Sequence, residues 1–507
     1  MKSFSSRAWR RFALLSLLIA TASFAQPALN TSDRAMLRQV LQAMPKGGDL
    51  HNHLSGSVYA ESYLRYAADD GICVDSAKLT ITQCATPQQI AANPSAAASI
   101  VPASTLLAPY SSLYGQMQDA LSMRQFRPVL ESGHDHFFNT FGKFSAVSRA
   151  HVPEMLTEDV RRLASENVDY VETIFAPDFG KARELLSFVK TGQSFTEMRT
   201  AIMQSGQVPP IIAGARGVID NAEARMHGDL HCGTSNAQPG CQSTVRYLYE
   251  LHRGVPLAQL FTEMVIGYEL ASADPRVVGL NPVMPEDSYI SMHDFDDQMK
   301  MFAFFHQIYP KIHLTTHAGE LAPGFVEPEG LRHHIRDSVM IAGAERIGHG
   351  VDLPYEDDPA GLLKIMASRG IAVEVCLTSN DVILGVSGKA HPLRLYLAAG
   401  VPVALATDDP GVSRDDMTNQ YMRAVQDQGL DYPTLKRIAR NSLEYSFAEG
   451  ESLWANHSYE RIAGSCAGEI PSPNPPAKCA AFLDGNTKAR IEWRLEQRLH
   501  EFDASWK

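Results

Sequence analysis

Short apolar runs rich in Val, Ile and Leu recur along the chain, with segments long enough for helices between them. They fall at 48–54 (GDLHNHL), 168–176, 210–219, 276–283, 311–318, 345–351, 371–378 and 401–408. A run that is apolar throughout, rather than alternating, marks a strand covered on both faces, as in a parallel sheet with crossover helices. Eight in succession predict an α/β chain whose strands close into a (β/α)8 TIM barrel rather than an open sheet. Helical periodicity is clearest at 154–166, 256–271 and 432–447, where apolar residues return every three or four positions and should face the barrel. Residues 485–500 read as a closing amphipathic helix with Trp493 and the leucines on its inner side.

Three stretches exceed the minimal strand–helix unit: 68–120, rich in Ala, Ser and Pro, 221–245, and 450–484, where a C-terminal extension to residue 507 begins. Six of the seven cysteines fall in these stretches as close pairs: Cys73 with Cys84, Cys232 with Cys241, Cys466 with Cys479. Local disulfides in an oxidising compartment follow, although spacing alone does not prove connectivity. Cys376 is left over in an apolar run and reads as a buried thiol. The first residues agree with export. Lys2, Arg7, Arg10 and Arg11 precede the apolar run Phe12–Ala20 and the small residues Thr21-Ala22-Ser23-Phe24-Ala25, the pattern of a signal peptide cut after Ala25. The expected organisation is a signal peptide at 1–25 and a single barrel domain over 26–507, in the periplasm or the extracellular medium.

Removing those 25 residues takes away four positive charges and no acid, moving the formal net charge from −12 to −16. A chain this acidic is not expected to bind nucleic acid, nor a membrane once the signal is cleaved. The partner is then a small molecule. A homodimer stays open, because 68–120 and 450–484 could cover a surface or pair through it.

Candidate chemistry gathers at one end of the expected barrel. His51-Asn52-His53 ends the first strand, where alternate side chains share a face and both imidazoles project into the mouth. An HxH is weak evidence by itself, and His134-Asp135-His136 repeats it ahead of a helical pattern, where an i,i+2 pair diverges. The first pair gains from its company: His317 ends the fifth strand in TTHAGE, His349 the sixth in RIGHG, and Asp408 the eighth in LATDDP. Carboxyl ends of barrel strands are where active sites of this fold lie. Three histidines and a carboxylate with room for a water suit one Zn2+ ion. The fourth strand, RVVGLNPV, offers no lysine or acid to bridge a second metal. Glu320, three residues after His317, is a candidate proton shuttle, with His349 a second base and Asp409 a second carboxylate.

MPKGGDLHNHLSG, TTHAGE, ERIGHGVDL, EVCLTSN and LATDDPGV resemble, in order, the motifs of the adenosine deaminase family, over residues 44 to about 447. The opening phrase together with the signal is most similar to its secreted, growth-factor-related branch. The resemblance implies a hydrolase acting on the C–N bond of a cyclic amidine, converting adenosine and 2′-deoxyadenosine to inosine and 2′-deoxyinosine with ammonia release. It implies that His51, His53, His317 and Asp408 hold zinc and that Glu320 protonates the purine at N1. His349 would orient the attacking water and help deprotonate it, and Asp409 would hydrogen-bond N7.

Two departures bear on substrate recognition rather than on the metal. Ser55 stands where cytosolic members often carry an acid that meets the ribose. Asn281-Pro282-Val283-Met284 replaces an Asp-Leu-Ala-Gly-like turn whose glycine amide faces the base; Met284 can still offer its backbone N–H, whereas Pro285 has none. Adenine or another 6-aminopurine therefore remains an alternative substrate. So do an amide- or ester-cleaving amidohydrolase, against which the TTHAGE acid and the paired aspartates argue, and an inactive extracellular binding protein, against which the complete ligand set argues. Phe137, Phe138, Phe141 and Phe144 are candidates for the wall of a base pocket, or for plain core at helical spacing.

Overall fold

The computed structural model describes residue 29 and residues 32–108, 111–128 and 131–505; the expected signal peptide, residues 1–25, lies outside them. Eight parallel strands follow one another around a barrel: β1 Gly47–His53, β2 Val168–Phe175, β3 Thr244–His252, β4 Val277–Val283, β5 His313–Ala318, β6 Arg346–His349, β7 Ala372–Val375 and β8 Val403–Leu405. Each pairs with the next, and the ring closes just beyond β8. There the His53 N–H donates to the Asp408 carbonyl and the Asp408 N–H to the His51 carbonyl, both at 2.9 Å. Closure thus brings the HxH of the first strand against the aspartate that follows the last. The expected (β/α)8 barrel is the observed fold.

Helices wrap the strands, among them Leu257–Ala273 after β3, Phe295–Ile308 after β4 and Tyr432–Glu444 after β8. Three buried charges lie inside the barrel. Arg346 of β6 donates to Glu172 of β2 at 2.5 Å and to Glu374 of β7 at 2.6 Å, and its guanidinium lies 3.7 Å from the Phe447 ring centre. Removing either acid would leave a buried cation with one partner fewer, so these residues tie non-adjacent strands together.

One expected strand is corrected. Residues 210–219 are part of the helix Val208–Asp229, and the third strand is Thr244–His252 instead. Pro209 and Pro210 sit in the first turn, where the missing N–H costs nothing. The buried positions Val208, Ile211, Ile212, Ala215, Ile219, Ala222 and Met226 return every three or four residues, a helical face that a short apolar run resembles. The expected insertion at 221–245 accordingly dissolves into the end of that helix, a Cys232–Cys241 disulfide turn and the first residues of β3.

Disulfides also join Cys73 to Cys84 and Cys466 to Cys479, and Cys376 is a buried free thiol. The first closes a small antiparallel sheet of Cys73–Asp75, Thr80–Thr82 and Ile100–Pro102. The last helix, Thr487–Ser505, buries Trp493, Leu495 and Leu499 as its periodicity predicts. No helix of the described residues is long and apolar enough to cross a membrane.

Candidate active site

His51, His53, His317 and Asp408 each offer a ligand atom, and the four atoms lie within 4.8 Å of one another at the carboxyl-end rim of the barrel. His51 Nε2 is 3.0 Å and His53 Nε2 3.3 Å from His317 Nε2, and His53 Nε2 is 3.2 Å from Asp408 Oδ1. Local backbone is bent to achieve this. His349 and Asp408 both adopt left-handed conformations, φ 66° and 62°, sparsely populated for residues with a Cβ and typical of functional sites. Two glycines of the quoted motifs make room: a Cβ on Gly348 would lie 2.7 Å from His51 Cε1, and one on Gly56 only 1.5 Å from Asp409 Oδ1.

The donor set fits a cation. His51 Nδ1 lies 2.7 Å from the Glu374 carboxylate and His317 Nδ1 2.6 Å from Asn281 Oδ1. Each acceptor holds a ring proton on Nδ1, which leaves both Nε2 atoms free to present lone pairs to a cation. Two lone pairs facing each other at 3.0 Å, with a carboxylate alongside, repel unless a positive charge sits between them. Burial opposes charge on His51, but Asp408 and Glu374 override it and raise its pKa to about 10. The position itself therefore favours positive charge, a second proton on His51 Nε2 that a bound cation would displace.

Around this centre the acids have unequal environments. Burial, with Asp408 and Glu286 nearby, pushes Glu320 well above the usual carboxylate range, and burial together with Asp408 does the same to Asp409. Asp408 is driven the other way: burial would raise it, but hydrogen bonds from His51 and His53 hold it well below. A neutral carboxyl can donate a proton where an ionised one cannot. His349 is fully buried; its Nε2 lies 3.6 Å from Glu320 Oε1 and has no hydrogen-bond partner among the described residues.

Glu320, Asp408 and Asp409 line a cavity of about 570 Å³. Phe137, Phe138, Phe141 and Phe144 also line it, from the helix Gly133–Ser148, so the aromatic stripe is cavity wall as well as core. Ser55 and Met284 reach the same cavity. Met284 has φ 84°, a glycine-like conformation at the turn where the resembling motif has glycine. The second HxH is structural: His136 meets Glu131 and the carbonyls of Asp119 and Ser122, and His134 meets Asp135 and Asp287.

Several supporting side chains escaped the sequence reading. Glu374 orients His51, Asn281 meets His317, and the Ser379 hydroxyl donates to Asp408 Oδ2 at 2.5 Å. Glu286 accepts from the Gly319 and Glu320 amides and contacts His334, while Asn380 and His391 stand behind His349. Glu374 carried a signal, being a charge inside an apolar strand run. His391 and Glu286 carried none.

Residues 229–454 match the family described as adenosine deaminase. An adenosine deaminase of Escherichia coli (strain SMS-3-5 / SECEC) is 39% identical over 140 residues, 27% of this chain and 39% of that protein. The chain thus spans about two-fifths of the length of the curated relatives it matches. Among solved structures, an adenine deaminase from Arthrobacter aurescens aligns with a TM-score of 0.50 and 18% identity, covering 80% of this chain and 94% of that one. That likeness is one of fold.

Proposed function

From a chain related to the adenosine deaminases over residues 229–454, we propose a hydrolytic deaminase of a 6-aminopurine, with adenosine and 2′-deoxyadenosine as substrates and one zinc ion held by His51, His53, His317 and Asp408. The observation that carries this is the convergence of three imidazoles and a carboxylate beside a carboxyl held neutral, Glu320, on the wall of a cavity of about 570 Å³, with room for a purine nucleoside. Zinc, when bound, supplies the Lewis acidity that makes water a nucleophile near neutral pH.

The chain's own residues do the rest. The phenylalanine wall packs the base and excludes water, and Asp409, held neutral, donates to N7. Glu320 gives its proton to N1, which leaves C6 electron-poor. Water adds there, its oxygen bonding to C6 while the proton it sheds returns to the Glu320 carboxylate. The C6–N6 bond then breaks as N6 takes that proton from Glu320 and leaves as ammonia, and the hydroxyl on C6 returns its own proton to Glu320 as the 6-oxo purine forms. Three disulfides support a location in the periplasm or outside the cell, in keeping with the signal-like residues 1–25.

Zinc-loaded protein tested on adenosine, 2′-deoxyadenosine, adenine and adenosine monophosphate should release ammonia from the two nucleosides. Glu320→Gln should retain zinc and lose turnover by about 10²-fold or more. Full activity in that variant removes Glu320 from the mechanism, and activity on adenine alone overturns the nucleoside assignment.

A further inference from the structure

A chain of hydrogen bonds behind His349 has its direction set by a backbone amide, the one donor in it that cannot reverse. The Leu393 N–H donates to His391 Nδ1 at 3.1 Å, so that nitrogen carries no proton and His391 is protonated on Nε2. His391 Nε2 lies 3.0 Å from Asn380 Oδ1, which must therefore be the amide's oxygen; its NH2 in that place would set donor against donor. The opposite end of the same amide, Nδ2, lies 2.9 Å from His349 Nδ1. Since Nδ2 can only donate, His349 Nδ1 accepts and bears no proton. His349 is then protonated on Nε2, the buried atom aimed toward Glu320.

We propose that Asn380 and His391 are positioning residues that lock His349 as its Nε2–H form, so that His349 meets the reacting oxygen as a hydrogen-bond donor and not as the base that takes its proton. The catalytic consequence rests on the deaminase reading; the proton's position does not. His349, Asn380 and His391 are all buried, at most 3% exposed, so bulk water does not compete for His349 Nδ1 or for the His391 ring. Asn380 begins no contact of its own with the cavity: it lies on the helix Leu377–Leu384, and His391 precedes the helix Leu393–Ala399. Their arrangement departs from the sequence expectation that His349 helps deprotonate the water. With His349 confined to donation, the proton that water loses goes to Glu320, and the same carboxyl handles both that proton and the one at N1.

The test is ¹⁵N nuclear magnetic resonance of the full chain labelled on its histidine rings, metal-free and zinc-loaded, with His349 assigned by its loss in His349→Gln. The wild type should show the proton on Nε2 in both states. Asn380→Asp keeps the side chain's shape but places a carboxylate oxygen at Nδ1; the proton should move to Nδ1. Its kcat on the nucleoside that the ammonia-release assay identifies should fall by up to about 10⁴, the scale of a wrong histidine tautomer, with KM within about threefold and zinc retained. His391→Gln, which can still accept from Leu393 and donate to Asn380, should keep both the wild-type tautomer and most of the turnover. A wild-type proton on Nδ1 overturns the proposal, and so does a reversed tautomer in Asn380→Asp with undiminished kcat. If Asn380→Asp does not fold, the wild-type and His391→Gln spectra decide alone. If the wild type releases no ammonia from any purine, the deaminase reading fails while the spectrum still judges the lock.

Discussion

Glu374→Gln is the sharpest probe of how the barrel interior supports the rim. The wild-type carboxylate accepts from His51 Nδ1 at 2.7 Å, from the Thr315 hydroxyl at 2.8 Å and from Arg346 Nε at 2.6 Å, with no exposure to solvent. Burial would raise its pKa, yet Arg346 and His51 hold it near 2, so an ionised acceptor is built into the design. Glutamine has one acceptor end. If that end faces Arg346 and Thr315, the NH2 faces His51 Nδ1 and drives the ring proton to Nε2, removing the lone pair a metal needs. If it faces His51, the NH2 opposes two donors and Glu172 is the one carboxylate left of the arginine's two. Loss of such a carboxylate behind a ligating histidine costs about 10- to 100-fold in metal affinity, or about 1.4–2.7 kcal/mol. Breaking one arm of the buried ion pair adds a folding cost of about 3 kcal/mol, the low end for such pairs because Glu172 remains. Competition of the protein with a chromogenic chelator gives the zinc affinity, and urea unfolding of the metal-free protein gives the folding term separately. Zinc affinity within twofold of wild type would refute the claim that Glu374 orients a ligand.

Met284→Gly should leave stability unchanged or raise it by up to about 1 kcal/mol, because glycine adopts φ 84° freely; a clear loss in urea unfolding would mean that the packing of the methionine on Gly254 outweighs the strain. His252 sits 3.1 Å from Glu263; burial lowers its pKa but Glu263 and Glu250 raise it to about 9. Its stabilisation is full below pH 6.5, where the unfolded chain is also protonated, and is lost as pH rises through 9. His252→Gln should therefore be less stable than wild type by about 1–2 kcal/mol at pH 6, discounted for partial exposure, and the gap should close by about pH 10; a gap independent of pH would sink the ion pair.

How far the sequence reaches depends on what periodicity can see. The barrel was legible because most of its strands are buried on both faces and read as continuous apolar runs. It failed at 210–219 against 244–252 for one reason. The helix Val208–Asp229 presents Ile211, Ile212 and Ala215 close together, which reads as a strand, whereas the true strand carries Arg246, Glu250 and His252 among Val245, Tyr247, Tyr249 and Leu251. The candidate ligands were legible because their residue types are rare and each ends a strand. Asn380, His391 and Glu286 act through space from other elements, so no spacing announces them.

One signal in the strands was readable and points beyond topology. Glu172, Arg346 and Glu374 each interrupt an apolar run, and a buried charge must find a partner. Their three charges leave one negative in excess within the barrel. Asp408, held ionised at the rim, adds another once a cation has taken the place of the second proton on His51. Burial first, then the charge of Asp408, pushes Glu320 and Asp409 well above the usual carboxylate range, so they do not add to it. The excess of about two charges lies beneath and beside the point on which His51, His53 and His317 converge, and a divalent cation at that point balances it. On this argument the interior charges and the rim ligands form one electrostatic unit. A substitution deep in the barrel, such as Glu172→Gln, then weakens the seat for the ion without touching any of its ligands.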